Sequence, residues 1–488
     1  MKTKWLSLLL VLSALRLAGQ GSFVYINNDI VGPNSITGLS AAADGSLTPL
    51  PGSPFMTSGT GAGGGLSASN SVTSVVVKDF LYASNSGSNN VSAFSIDTST
   101  GVLTPVPGSP FATGGLFGTG GISLTATPDG QFLIAANLFL NIITVYSVAA
   151  NGTLAQVAGS PFAGGPGGES DGIKVTPDGK FLVVAQPLAS GVTMFSISAT
   201  GELSPVSGSP FPALGFAAGV DCDCNSSHIF AGDANRINTQ VSVFNVGQNG
   251  ALSQISGSPF TSSGVNSNVA VLSPDDQSLF VSNQDSATVT VFRVAGNGGL
   301  TLVPGSPFAA PGALFPSGMA TNQAGTFLYL ASANSRVYGY SIAANAALSP
   351  LPGSPFGTGA GGFPLSLTVF PPKSCCSAPI IKDVSAAPDI LWPPNHKFVD
   401  VTINYTVTDS CPSRCVLTVT SNEVSGSGNG NTSADWEVMD AHHVQLRAER
   451  AGSGTGRIYT VTITCTNDTN NVSSIETVTV LVPHDQGK

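Results

Sequence analysis

The tetrapeptide Gly-Ser-Pro-Phe occurs seven times in this chain, closing at Phe55, Phe111, Phe162, Phe211, Phe260, Phe308 and Phe356. Successive copies stand 56, 51, 49, 49, 48 and 48 residues apart, a period of propeller blades and longer helical repeats and too long for a leucine-rich turn. Repetition at this period predicts the architecture. It leaves the activity open, because such a fold carries a catalytic site, a binding face or neither.

The unit from 172 to 211 shows the order of elements best. Alternating apolar runs at 172–176, 181–185 and 192–197, then a segment through Leu203 and Val206, predict four strands, with Asp178-Gly179 as a hairpin turn. No stretch of helical period competes. The second strand recurs as runs opening at Phe23, Phe80, Phe132, Phe181, His228, Leu279 and Phe327, which again counts seven units. Proline cannot donate to a ladder, so Ser-Pro-Phe is expected to end a fourth strand at the blade rim. The Phe ring would fill the wedge between sheets, where burial contributes about 2 to 3 kcal/mol.

At the N-terminus, Lys2 and Lys4 precede the apolar run 5–15, followed by Ala18, Gly19 and Gly21. That is the pattern of a secretory signal peptide over 1–21, too short for a membrane anchor. No later segment reads as transmembrane. Without Lys2, Lys4 and Arg16 the formal net charge falls from −10 to −13, and with no basic cluster the chain is not expected to bind nucleic acid or anionic membranes. A secreted monomer, extracellular or periplasmic, is expected.

The first unit lacks an inner strand, and the missing piece is far away. After the seventh Gly-Ser-Pro-Phe stands an orphan strand at 364–370 that matches the first strand of the other units. Adding it to the N-terminal unit closes the ring and removes an open edge. The fold predicted is all-β: a seven-bladed β-propeller over 22–372 closed by a C-terminal strand, a linker at 373–377, and an Ig-like β-sandwich over 378–488.

The segments Thr176-Pro177-Asp178-Gly179-Lys180-Phe181-Leu182, Val91-Ser92-Ala93-Phe94-Ser95-Ile96 and Gly101-Val102-Leu103-Thr104-Pro105-Val106 carry a family likeness. Over 22–372 the chain resembles the secreted Tyr-Val-Thr-Asn-repeat propellers grouped with the seven-bladed lactonase family. The resemblance implies a possible lactone hydrolase of the 6-phosphogluconolactonase type. The shared motifs build blades and do not mark an active site.

Chemistry-bearing residues are sparse. The propeller holds one histidine, His228, and seven cations: Lys78, Lys174, Lys180, Arg236, Arg293, Arg336 and Lys373. Lactone opening needs a base for water and a donor for the oxyanion, and a phosphosugar wants several cations. The weak catalytic candidates are Glu169, Asp171 and His228, although His228 replaces the Phe that opens the second strand elsewhere and so reads first as a packed side chain. Asn28, Asn85, Asn137, Gln186, Asp233 and Asn283, with Ser332, occupy equivalent positions after the second strand. They could line a ligand face, or cap their own turns. Cys222 and Cys224 flank Asp223, but lack a second ligand pair with zinc spacing and read as buried or partly oxidised thiols.

Past Pro371-Pro372 the composition changes. Runs at 399–407, 415–421, 443–448, 459–464 and 477–482 predict at least five strands. The stretches Leu391-Trp392-Pro393-Pro394-Asn395-His396-Lys397, Leu446-Arg447-Ala448-Glu449-Arg450 and Val482-Pro483-His484-Asp485 resemble Ig-like modules of exported bacterial proteins. Cys465 is expected to pair with Cys415 or Cys411 and staple the two sheets. Asp435, Glu437, Asp440, His442 and His443 read as solvated positions; no cofactor is expected beyond a possible structural calcium at the acid-rich loop. The preferred reading is a scaffold binding an extracellular protein, glycan or surface polymer. The alternative is a lactonase-type hydrolase.

Overall fold

The computed structural model describes residues 21–63, 73–115, 121–213, 215–237, 239–375, 379–409, 413–423, 435–452, 455–467 and 473–485. The signal-peptide stretch 1–20 and Cys411 lie outside them. The chain divides into two compact units, Met1–Lys373 and Ser374–Lys488. The first contains seven five-stranded antiparallel sheets. Each is a blade.

Blade one is assembled from both ends of the propeller. Ser22–Asn27 pairs antiparallel with Ser366–Phe370, Phe23 opposite Phe370 and Asn27 opposite Ser366. Leu367, Val369 and Phe370 are buried in the interfaces with the neighbouring blades, so the ring closes on apolar packing as well as on backbone pairing.

The repeat motif does more than end a strand. In blade four the fourth strand is Leu203–Pro205, and Phe211–Pro212 forms a fifth, two-residue strand on the far end of the same third strand, Gly191–Ile197. The chain reverses between them, and each residue of the motif has a task. Gly208 takes φ +95°, a left-handed conformation open to glycine. Ser209 Oγ accepts the Met194 backbone N–H at 3.1 Å, and its six counterparts accept the equivalent third-strand N–H at 2.8 to 3.0 Å. The Ser-Pro peptide is cis in all seven copies. The Phe ring, half-buried, packs into the cluster between its own blade and the next, as Phe211 does against Val220, Ile229 and Phe244. The reading of Phe as inter-blade filler holds, while its place on the fourth strand is corrected to a fifth. The second strand of blade six likewise opens at Ser278, one residue earlier than expected.

Because Met194 is fully buried, removing the Ser209 hydroxyl strands a backbone donor. Ser209→Ala should lower stability by about 1 to 3 kcal/mol, read from denaturant midpoints; an unchanged midpoint would refute this role of the hydroxyl.

The second unit is a two-sheet β-sandwich. One sheet orders Ile380–Ala387, Phe398–Thr408, His443–Arg447 and Trp436–Val438, and the other Ser413–Ser421, Gly456–Asn467 and Ser473–Pro483. Val401, Ile403, Val444 and Leu446 of the first sheet share one core with Leu417, Tyr459, Val461 and Ile463 of the second. Of the two partners offered for Cys465, the structure joins it to Cys415. The two face each other on adjacent strands of one sheet, so the bond crosslinks strands and does not staple the sheets together. It closes a loop of 50 residues, worth ~4 kcal/mol by chain entropy. Cys465→Ser should therefore lower the sandwich's melting transition markedly in calorimetry, and equal transitions with and without reductant would contradict that estimate.

Candidate functional site

Two ends of the disk must be distinguished. In blades two to seven strand one runs into a tight hairpin to strand two, and in every blade strand three runs into another to strand four; these turns share one face. The turns between strands two and three and the loops between blades share the other. We call them the hairpin face and the loop face.

The seven inner strands enclose a cavity of about 250 Å³ along the axis. On the loop-face side its wall is mostly small, with Thr73, Ser123, Gly172, Gly219, Gly318 and Ser366, and Val269 the larger exception. Deeper lies a ring contributed by residues opposite the third position of strand two, namely Val75, Thr125, Lys174, Asp221, Val271, Ala320 and Thr368. Blades four and five place charges there; the other five place Val, Ala or Thr.

Lys174 Nζ sits 2.8 Å from Asp221 Oδ1. Gly172 permits this approach, because its N–H donates to Ala218 O at 2.9 Å and a Cβ there would meet that oxygen at 2.3 Å. The carboxylate is held on both sides: Oδ1 also accepts the Cys222 N–H at 3.0 Å, and Oδ2 accepts the Leu272 N–H of blade six at 2.9 Å. Burial by itself raises the Asp221 pKa, but the Lys174 and Lys373 ammoniums and these hydrogen bonds outweigh it, so the group is held below the ordinary carboxylate range. The Asp221 charge raises Lys174 in turn, over the opposing effect of burial. Lys373, just past the closing strand, reaches Asp276 Oδ1 at 3.1 Å, and burial lifts Asp276 against that ammonium. Two of the seven cations thus stand near one axial carboxylate.

The candidate residues divide between the faces. Glu169 and Asp171 lie on the loop that enters strand one of blade four, Glu169 partly exposed and Asp171 buried; burial raises the Glu169 pKa. His228 starts strand two of blade five, at the hairpin face. Its Nδ1 lies 2.7 Å from Asp223 Oδ2, and its ring packs on Gly298 of blade six, as Phe181 packs on Gly250 and Phe132 on Gly201. His228 therefore fills an aromatic packing position and is not brought to Glu169 or Asp171.

The column after strand two is buried throughout, with Asn28, Asn85, Gln186 and Asn283 at 0% exposure, Asn137 at 1% and Asp233 at 2%. Three of these groups tie down inter-blade loops, and Asp233 also caps its own turn by accepting the Asn235 N–H at 2.9 Å. Gln186 Nε2 donates to Gly164 O at 2.9 Å, Asn137 Nδ2 to Thr113 Oγ1 at 3.3 Å, and Asp233 Oδ1 accepts the Phe216 N–H at 2.6 Å. Asn28, Asn85 and Asn283 bond third-strand hydroxyls, those of Thr37, Ser92 and Thr290. Burial raises the Asp233 pKa.

Cys222 is a buried free thiol whose pKa burial raises, whereas Cys224 is disulfide-bonded. In the sandwich, Asp435 contacts the fully buried Arg457 at 2.8 Å and Asp440 contacts His443 at 2.9 Å, so those acids are engaged separately. Among the described residues no group of three or more His, Cys, Asp or Glu side chains converges as a metal site would.

Residues 77–212 and 213–316 match the family model of the lactonase seven-bladed β-propeller. Among solved structures, the chain is similar to a candidate 6-phosphogluconolactonase from Bacteroides fragilis, at 21% identity and a TM-score of 0.57 over 72% of this chain and 99% of that one. It is similar also to the periplasmic gluconolactonase of Pseudomonas aeruginosa, at 18% identity and a TM-score of 0.57 over 72% of this chain and 98% of that one. No curated protein sequence matches it. At these identities the structural likeness establishes the fold.

Proposed function

We propose that this lactonase-like propeller opens a lactone ring at the loop-face end of its axial cavity. The observation that carries the reading is the Lys174–Asp221 pair, a cation fixed in the open axial cavity by a buried carboxylate that cannot easily lose its charge. The family match supports the same reading, and nothing in the comparisons favours a binding scaffold.

In the proposed reaction the lactone carbonyl points at Lys174. Glu169, on the loop leading to that strand and raised by burial towards a useful basicity, takes a proton from water as the water oxygen bonds to the carbonyl carbon. The Lys174 ammonium stabilises the resulting oxyanion. The ring C–O bond then breaks, and the ring oxygen recovers the proton from Glu169 to leave a hydroxy acid. Asp221 positions Lys174 and does not exchange protons, since its two oxygens are fully engaged. The Cys415–Cys465 bond supports a location in an oxidising compartment, with the sandwich as a spacing module.

The test is alkali consumption at constant pH by the full chain with glucono-δ-lactone. The native protein should show a saturable rate, and Glu169→Gln should lower it by about 100-fold or more. A Glu169→Gln variant as fast as native would remove Glu169 as the base.

A further inference from the structure

Large apolar side chains are exposed unevenly on the disk. Among the described residues none is exposed in the turns of the hairpin face, whereas the loop face displays most of those in the propeller. The placement follows the repeat. Counting five residues upstream from the charged ring position gives Glu169 in blade four, Phe216 in blade five, Phe315 in blade seven and Phe363 in blade one. These three rings are 43%, 47% and 44% exposed. They stand where their loops turn down into the inner strands, beside the mouth of the cavity.

They are also held in place. The Phe216 N–H donates to Asp233 Oδ1 and its carbonyl accepts the Ala234 N–H. The Phe363 N–H donates to Asn28 O at 2.9 Å. Leu314, itself 56% exposed and next to Phe315, exchanges two hydrogen bonds of 2.9 Å with Ser332 Oγ. The buried polar column therefore fixes the backbone beneath an apolar rim. A packed core gains nothing from such rings in water, and their recurrence at one repeat position lays an apolar rim on the loops that enter the inner strands.

Charge at this end argues in the same direction. Cations are few here: Lys174 is paired with Asp221 and Arg236 with Asp285, each at 2.8 Å, and Arg336, exposed at the start of its strand, is the other propeller cation placed at the loop face. We propose that the substrate is a lactone with an apolar substituent: the ring enters the cavity towards Lys174, and an alkyl or aryl chain lies across Phe216, Phe315 and Phe363. This rests on the lactone-opening reading and adds the class of substrate.

The experiment compares γ-dodecalactone with γ-valerolactone, which share a ring and differ in chain length, on the full-length protein and on Phe216→Ser/Phe315→Ser/Phe363→Ser. The native protein should favour the long chain by at least about tenfold in kcat/KM. The triple variant should lose that preference through KM, with circular dichroism confirming that the fold is retained. A native preference that is absent, or that survives in the triple variant, overturns the inference while leaving lactone opening intact. If neither lactone is opened, calorimetry with γ-dodecalactone decides: binding weakened in the triple variant sustains the apolar rim as a ligand site, and no binding, or binding that the variant retains, overturns it, while the hydrolase reading is judged separately on glucono-δ-lactone.

Discussion

Replacing Leu367 and Val369 together with Asp in the full-length chain is expected to abolish the folded propeller while the sandwich still unfolds cooperatively. Both side chains are buried, at 5% and 2% exposure, on the strand that completes blade one. Burying an unpaired carboxylate costs several kcal/mol even after partial relaxation, and a domain has only ~5 to 15 kcal/mol in reserve. Losing the strand would also expose the edge of Ser22–Asn27. Thr368 is the internal control, since it faces the cavity in the same strand; Thr368→Asp should leave the propeller folded. Limited proteolysis with near-ultraviolet circular dichroism separates the cases. A protease-resistant propeller in the double variant would mean that the ring does not depend on this strand.

That closure was readable from the sequence because an orphan strand at one end matched a vacancy at the other. The blade count was readable for a similar reason, since seven copies of one motif at near-regular spacing leave little freedom. Other features were not. The fifth strand of blades two to seven, Phe211–Pro212 in blade four, is two residues long and has no periodicity to detect. In the sandwich, Ile380–Ala387 went unrecognised because its register shifts between Lys382 and Ser385, which breaks alternation, and Trp436–Val438 is only three residues long. The axial pair was hidden differently. Lys174 and Asp221 are 47 residues apart, and they meet only when blades four and five are laid side by side. A signal did exist: aligned inner strands show Lys and Asp where the other blades carry Val75, Thr125, Val271, Ala320 and Thr368. The amide column was legible as a column, but its role was not, because the loops it clamps come from the preceding blade's end.

Lys174→Met should reduce lactone opening by about 100- to 1,000-fold, the range seen when one oxyanion donor is removed from an enclosed site. Methionine keeps much of the length and none of the charge. Because the single change leaves Asp221 buried beside a lost partner, which destabilises, the companion Lys174→Met/Asp221→Asn removes both charges and should fold better while remaining inactive. Asp221→Asn alone should cost less activity, since it disturbs the position of the ammonium without deleting it. The pH dependence has a definite sign. Asp221 is depressed, so its contribution to stability is present above the ordinary carboxylate pKa and is lost as pH falls through its lower folded value. Lys174 is raised, so its contribution is present below the ordinary lysine pKa and is lost as pH rises through its higher folded value. The pair therefore persists across neutrality. Glu169 is raised by burial, so the acid limb of the rate should lie above that of an ordinary glutamate.

The most direct measurement is the rate of glucono-δ-lactone opening at pH 7, followed by alkali consumption, for the native chain and Lys174→Met at equal concentration with folding verified for both. The account predicts a saturable rate above spontaneous hydrolysis for the native chain and a rate close to background for the variant. Equal rates in the two, or a native rate no greater than buffer, would contradict it.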